Sequence, residues 1–253
     1  MNPAGRTGHL ALSIYSYALI VAASAVSIPL LTLGVALRVP FVSHRAFMRI
    51  FRRTISTYGK IVTSMPYPFI RLQYEDRTAP SDPGAPYIFV CNHRAASDAY
   101  LLCVLPNEIV QIVNIWPFKI PVIGPYAKAA GYLNIKLMDH EEFIASCLEL
   151  LGQGVSIAFF PEGTRSGGRQ MGSFNGAFAR LALLSGVPIV PICISGSEDI
   201  PRKGSFMLRP GTIRVRRLPA VVRDEYKEMT GFTLKIRIRE TIQHELALME
   251  AGS

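Results

Sequence analysis

The chain has 253 residues, 49% of them hydrophobic, with a formal charge of +9 from 27 basic and 18 acidic side chains. That length suits one large domain with an appendage, and the apolar excess is more than a plain soluble domain needs, so a membrane segment is expected. The positive balance favours polyanions, whether nucleic acid, anionic lipid or phosphorylated small molecules, and the four cysteines, lacking a C-x-x-C pair, point to reduced buried thiols rather than a zinc site or a disulfide framework.

Leu10 to Leu37 is a run of 28 residues without a charge. As a helix it would reach about 42 Å, enough to cross a bilayer core with tilt. Pro29 and Gly34 lie in its second half and could split it, so a spanning helix and a bent hairpin in one leaflet both stay open. Ala23-Ser24-Ala25 resembles a signal-peptide cleavage site, but the apolar run continues beyond it to Leu37. Arg38, Arg45, Arg49, Arg52, Arg53 and Lys60 then follow. This flank favours a retained anchor with the remainder on the cytoplasmic face of the inner membrane.

Residues 44–64 predict an amphipathic helix, with Phe47, Ile50, Phe51, Ile55 and Tyr58 at helical spacing among arginines. It suits either an anionic membrane surface or a core-packing helix with a solvated basic face. The expected division is residues 1–64 as anchor and basic helix and 65–253 as the main domain, with a loop from Asp76 to Pro86. After that loop, strand patterns (PYIFVCN, EIVQIVNI, YLNIK, VSIAFF, VPIVPICIS, GTIRVRRL) alternate with helical ones (SDAYLLCVL, PVIGPYAKAAG, HEEFIASCLELLGQG, NGAFARLALLSG and residues 230–249). The fold class is therefore α/β: a mostly parallel central sheet flanked by helices, preceded by a membrane-anchoring helix or helical hairpin.

In such sheets chemistry gathers beyond the carboxyl ends of the strands. The strand of YIFVCNHRAASDAY ends at His93. Ser97 reads as an N-cap that puts Asp98 in the first helical turn, and Arg94, Ala95 and Ala96 can turn the chain so that Asp98 meets His93. A carboxylate on Nδ1 would leave Nε2 free as a base. Without further support the same residues read as helix caps and a loop histidine. A second apolar strand ends in FFPEGTRSGG, where Gly163 permits close backbone approach and the Arg165 guanidinium can grip a phosphate.

NHRAASD and FPEGTRS, in that order, resemble the first and third blocks of the glycerolipid acyltransferases, the 1-acyl-glycerol-3-phosphate (lysophosphatidic acid) and lysophospholipid acyltransferase family. VPIVPICI resembles the fourth block, GYLNIK sits where the second belongs, and the likeness covers roughly residues 60–220. The resemblance implies a membrane-bound enzyme that moves a fatty acyl group from acyl-CoA or acyl-carrier protein, as co-substrate and with no cofactor, to a lysophospholipid hydroxyl. The foremost acceptor is 1-acyl-glycerol-3-phosphate, giving phosphatidic acid. His93 would be the general base and Asp98 its orienting acid. Glu162, Gly163, Thr164 and Arg165, with Lys136 and Arg94, would hold the acceptor's polar head.

Two departures bear on the acceptor. Asn134 and Leu137 stand where the second block commonly has an aromatic and a basic residue, leaving Lys136 as the substitute, and Asn175 stands where a lysine is frequent. Another lysolipid or an amino-lipid is the alternative acceptor. Cys91, two residues before His93, raises a rival: a thiol–imidazole thioesterase or hydrolase. A non-catalytic membrane-binding protein is a third reading. No nucleic-acid motif accompanies the charge; Arg214 and Arg216 read as a solvated strand face or a contact for an acidic carrier or lipid phosphates. His9, His44, His140 and His244 lack ligand spacing, so no metal role is assigned.

Overall fold

The computed structural model describes residues 3–78, 85–113, 116–119, 123–135 and 137–251. In chain order the elements are α1 (Pro3–Ala36), α2 (His44–Ser64), β1 (Ile70–Asp76), β2 (Ile88–Cys91), α3 (Asp98–Leu101), β3 (Ile109–Val113), α4 (Ile123–Ala129), β4 (Leu133–Asn134), α5 (His140–Gly152), β5 (Ser156–Phe159), α6 (Ala177–Ser185), β6 (Ile189–Ser195), β7 (Gly211–Arg217), α7 (Arg223–Tyr226) and α8 (Gly231–Ala251). The strands form a seven-stranded sheet in the order β1-β7-β6-β2-β5-β3-β4. Every pairing is parallel except β6 with β7. The mostly parallel α/β expectation therefore holds. β1 is an addition to it: its alternation of Ile70, Leu72 and Tyr74 with Arg71, Gln73 and Glu75 is the period-two signal of an edge strand with one wet face.

The central strands are buried on both sides, which is why they read as unbroken apolar runs. Along β2, Ile88 and Val90 join the core under α5, α6 and α8, with Phe143, Phe178, Leu181, Leu234 and Ile238. Phe89 and Cys91 point the other way, into a second core with Leu101, Leu102, Ile213 and, from α1, Leu12. The sheet is thus the middle layer of three.

α1 is one continuous helix with Pro29 inside it, not two shorter ones. One face is fastened along its length. Leu12 is in the core, and Ser13 Oγ accepts the Leu208 N–H at 2.8 Å. Tyr17 donates to the Phe206 carbonyl at 2.9 Å. Ser24 and Tyr58 share a hydrogen bond of 2.9 Å, and Thr32 and Tyr126 one of 2.6 Å. The opposite face leaves Val26 61%, Leu30 63% and Leu33 56% exposed.

α2 packs between α1 and the α/β body, so of its two expected roles the core-packing one is realised. Phe51 meets the Tyr126 ring edge-on at 5.1 Å. Arg52 is buried: Nε donates to the Ala130 carbonyl at 2.7 Å, and Nη1 pairs with Glu108 at 2.8 Å. These contacts cross the residue-64 boundary drawn from composition. Arg216 is no solvated charge either, because it bridges Glu245 at 2.5 Å and Glu75 at 2.7 Å.

Breaking a buried ion pair by removing one partner costs about 3–5 kcal/mol. Arg52→Ala should accordingly lower the unfolding free energy by about 3 kcal/mol, measured by chemical denaturation in detergent; an unchanged midpoint would show that α2 is only loosely attached.

Candidate active site

The site is built where β2 and β5, neighbours in the sheet, release their chains at the same edge. Asn92 closes β2. Its side chain donates to the Ile194 carbonyl at 2.9 Å and accepts the Ile194 N–H at 2.7 Å, clipping the strand end to β6. The backbone leaving Asn92 is thereby held in place when it presents His93.

Asp98 is completely buried, and its Oδ2 lies 2.9 Å from His93 Nδ1. The same oxygen accepts the backbone N–H groups of Arg94 at 2.7 Å and Ala95 at 2.8 Å. An oxygen that already accepts two amides acts as acceptor toward the ring as well. Nδ1 therefore carries hydrogen, and in the neutral ring this puts the lone pair on Nε2. The ring is one-fifth exposed and lies against Phe160, with centroids 4.7 Å apart. The expected meeting of His93 and Asp98 is realised, but not by the expected cap. Ser97 has helical backbone angles and makes no capping bond, and its buried hydroxyl finds no partner. The carboxylate itself gathers the amides of the turn.

The second loop is laced onto the first. The Ser166 N–H donates to the His93 carbonyl at 2.8 Å, and the Gly167 N–H to the Arg94 carbonyl at 3.1 Å. Glu162 Oε1 accepts the His93 N–H at 2.7 Å, and Oε2 accepts the Gly172 N–H at 2.8 Å. Glu162 is therefore a strut between the loops, and both its oxygens are engaged within the protein. Gly163 has φ +70°, yet a Cβ there would meet nothing within 4 Å. What the fold itself asks of it is the left-handed backbone of the turn. Thr164 is exposed and Arg165 half-buried on the same loop. Lys136 lies outside the described residues; its neighbour Leu137 is 70% exposed beyond β4, at the far edge of the sheet. Asn175 Oδ1 accepts the Ala177 N–H at 2.8 Å and serves the start of α6.

Arg94 is the clear correction. Expected among the substrate contacts, it is 3% exposed, with Nη1 on Glu198 at 3.0 Å and Nη2 on Glu250 at 2.6 Å. A guanidinium that deep needs counter-charges, and it has two. Cys91 is corrected as well. It is wholly inaccessible, and burial, then the nearby Asp98 charge, push its thiol well above the ordinary range, so it is a poor nucleophile. Asn92, Glu198 and Glu250 were not marked from sequence. Asn92 opens the NHRAASD block, so the signal for it is local; the two glutamates lie 104 and 156 residues from Arg94, with no local signal.

A cavity of about 950 Å³ opens behind the dyad's loop, between α1, α2 and α3. Ala96 and Ala99 line it, with Ile28, Leu31, Tyr58 and Tyr100, and the basic side chains of Arg49, Arg53 and Lys60 reach it from α2. His93 and Asp98 are not in its lining, so the dyad stands beside this space rather than inside it.

Residues 71–195 match the family model described as Acyltransferase, and both loops fall inside that stretch. This segment belongs to the acyltransferase family. The chain is 35% identical over 153 residues to a chloroplast 1-acyl-sn-glycerol-3-phosphate acyltransferase of Arabidopsis thaliana, a match covering 59% of this chain and 43% of that protein. The chain thus spans less than half of that relative's length. It is 31% identical over 172 residues to the 1-acyl-sn-glycerol-3-phosphate acyltransferase of Salmonella typhimurium, covering 64% of this chain and 65% of the other. The crystal structure of the 1-acyl-sn-glycerophosphate acyltransferase PlsC from Thermotoga maritima superposes with a TM-score of 0.76 at 22% identity, covering 97% and 99% of the two chains. The fold is shared along nearly the whole chain, N-terminal helices included.

With Arg94 buried between two carboxylates, Arg94→Met should lower stability by about 3 kcal/mol, seen as an earlier unfolding transition in detergent. Weakened substrate affinity at unchanged stability would return Arg94 to the substrate contacts.

Proposed function

We propose that the protein transfers a fatty acyl group from acyl-CoA or acyl-carrier protein to the free hydroxyl of 1-acyl-glycerol-3-phosphate, forming phosphatidic acid. The observation that carries this reading is the buried Asp98 oxygen 2.9 Å from His93 Nδ1, which leaves Nε2 as an accessible base. Nε2 takes the acceptor's hydroxyl proton as its oxygen attacks the thioester carbonyl. The tetrahedral oxyanion collapses, the carbon–sulfur bond breaks, and the departing sulfur takes the proton back from the imidazolium. The enzyme needs no covalent intermediate. A placed base contributes about 10²–10⁴-fold. The loop carrying Thr164 and Arg165 is the place for the acceptor's phosphate, and the cavity beside Ala96 and Ala99 suits an acyl chain. His93→Ala and Asp98→Asn should each reduce kcat by at least about 10²-fold in assays with labelled acyl-CoA or acyl-carrier protein. Cys91→Ala should keep most of the activity; its loss in Cys91→Ala alone would revive an acyl-cysteine route. Leu137 and Asn175 favour testing other acceptors in the same assay, and incorporation only into a different lysolipid would change the product, not the chemistry.

We further propose that α1 lies within one leaflet. Its contacts at Ser13 and Thr32 are 19 positions apart, about 28 Å along the helix axis. That nearly equals the thickness of the hydrocarbon layer. A crossing helix would carry the attached α/β body into lipid, where loop backbone groups have no partners. The lipid-facing side is then the exposed Val26, Leu30 and Leu33, and the arginine-rich flank supports a cytoplasmic placement of the body. Val26→Arg together with Leu33→Arg should release the protein from vesicles, and a protease site placed ahead of α1 should be cut from the same side as the 200–210 loop. Cleavage only from the opposite side would establish a spanning helix.

A further inference from the structure

We infer that Lys203 is a second cation for the acceptor's phosphate, standing beside Arg165; this rests on the acyl-transfer reading above and names a residue that no sequence block supplies. A phosphate monoester carries close to two negative charges near neutral pH. The family-like positions of this chain offer few cations to meet them. Leu137 stands where a basic residue is common, Asn175 is uncharged and accepts the Ala177 N–H, and Arg94 is enclosed by Glu198 and Glu250. Lys136 lies outside the described residues, and among those described at these positions Arg165 is left to meet the ligand.

The segment between β6 and β7 brings another. Lys203 Nζ donates to the Arg165 carbonyl at 3.3 Å. Its aliphatic stem lies across Gly167, so closely that a Cβ on that glycine would stand 2.5 Å from Lys203 Cδ. The lysine is thus laid along the loop that hydrogen-bonds to the His93 carbonyl through Ser166. It is also held from behind. Ile200 and Leu208 are buried, the Leu208 N–H donates to Ser13 of α1, and the Phe206 carbonyl accepts from Tyr17. Between these two anchors Lys203 is exposed.

The nearby carboxylates are taken. Glu198 is held by Arg94 at 3.0 Å and faces Arg169 at 3.7 Å, Asp199 pairs with Arg202 at 2.6 Å, and Glu162 accepts two amides. Among the described residues no carboxylate lies within ion-pair distance of Lys203. The ammonium has three donors, and the Arg165 carbonyl uses one. The remaining two can reach an anion seated over the loop. Phe206, 86% exposed and tied to α1, puts the same segment at the surface where a lysolipid would arrive.

Lys203→Met keeps the stem over Gly167 and removes the charge. In neutral detergent micelles, which exclude bulk anionic lipid, the variant should show a KM for 1-acyl-glycerol-3-phosphate raised about tenfold, the loss expected for one charge-assisted hydrogen bond. Its preference for that acceptor over phosphate-free 1-acylglycerol should fall by the same factor, while the KM for acyl-CoA stays within twofold. Lys203→Gln should behave alike, and Lys203→Arg should restore most of the affinity. Equilibrium binding of radiolabelled 1-acyl-glycerol-3-phosphate to His93→Ala, with and without Lys203→Met, makes the same comparison without turnover. Acceptor KM and binding unchanged within twofold overturn the inference and leave the acyl-transfer reading standing. A raised donor KM would assign Lys203 to the donor's phosphates and likewise overturn it. A wild-type protein that acylates no phosphate-bearing acceptor defeats both.

Discussion

One oxygen atom organises the site. Asp98 Oδ2 receives an imidazole N–H and two backbone N–H groups in a position with no solvent exposure. A carboxylate buried so deeply is tolerated only when donors replace water. The turn from His93 to Asp98 is the shape that supplies them, so the carboxylate fixes the backbone and the backbone fixes the ring. Tautomer, ring direction and loop conformation follow from a single set of bonds. Among the described residues the other carboxylate oxygen, also buried, has no hydrogen-bond partner.

The second loop extends the same logic across the sheet. β2 and β5 are adjacent and parallel, so their exits lie side by side, and the bonds between the loops run mainly through backbone groups. Side-chain identity matters at the joints: Asn92 grips β6, and Glu162 holds one amide from each side of the site. Thr164 is left exposed and Arg165 half-buried on the same loop. The motif's two charged residues, three positions apart, thus differ: Glu162 is spent as a strut within the protein, and Arg165 is the one proposed to meet the acceptor.

Much of the architecture was legible in the sequence, for a physical reason. Strands buried on both faces must be apolar throughout, and helices laid on them must repeat at helical spacing, so the alternation from residue 87 onward could be read directly. β1 escaped because half its residues are charged or polar, as an edge strand requires. At the site, the pairing of His93 with Asp98 was readable because five residues of chain suffice to close it. Ser97 misled because a serine ahead of an aspartate resembles a cap, while here the aspartate itself collects the turn's amides. The fate of Arg94 was unreadable, since its counter-charges come from elements that meet it only in the folded protein. Whether α1 crosses or lies flat was open in composition and narrows only when its attachment points are seen.

The bond from Arg94 to Glu250 joins positions 156 residues apart, the second of them in the last turn of α8. Until that helix has emerged from the ribosome and docked, the guanidinium beside the histidine lacks one of its two counter-charges. The corner around the dyad, although its ring and acid are neighbours in the chain, is therefore completed only when a helix 156 residues downstream of Arg94 is in place. In a growing polypeptide the short turn can close early, while the charge beneath it waits for α8.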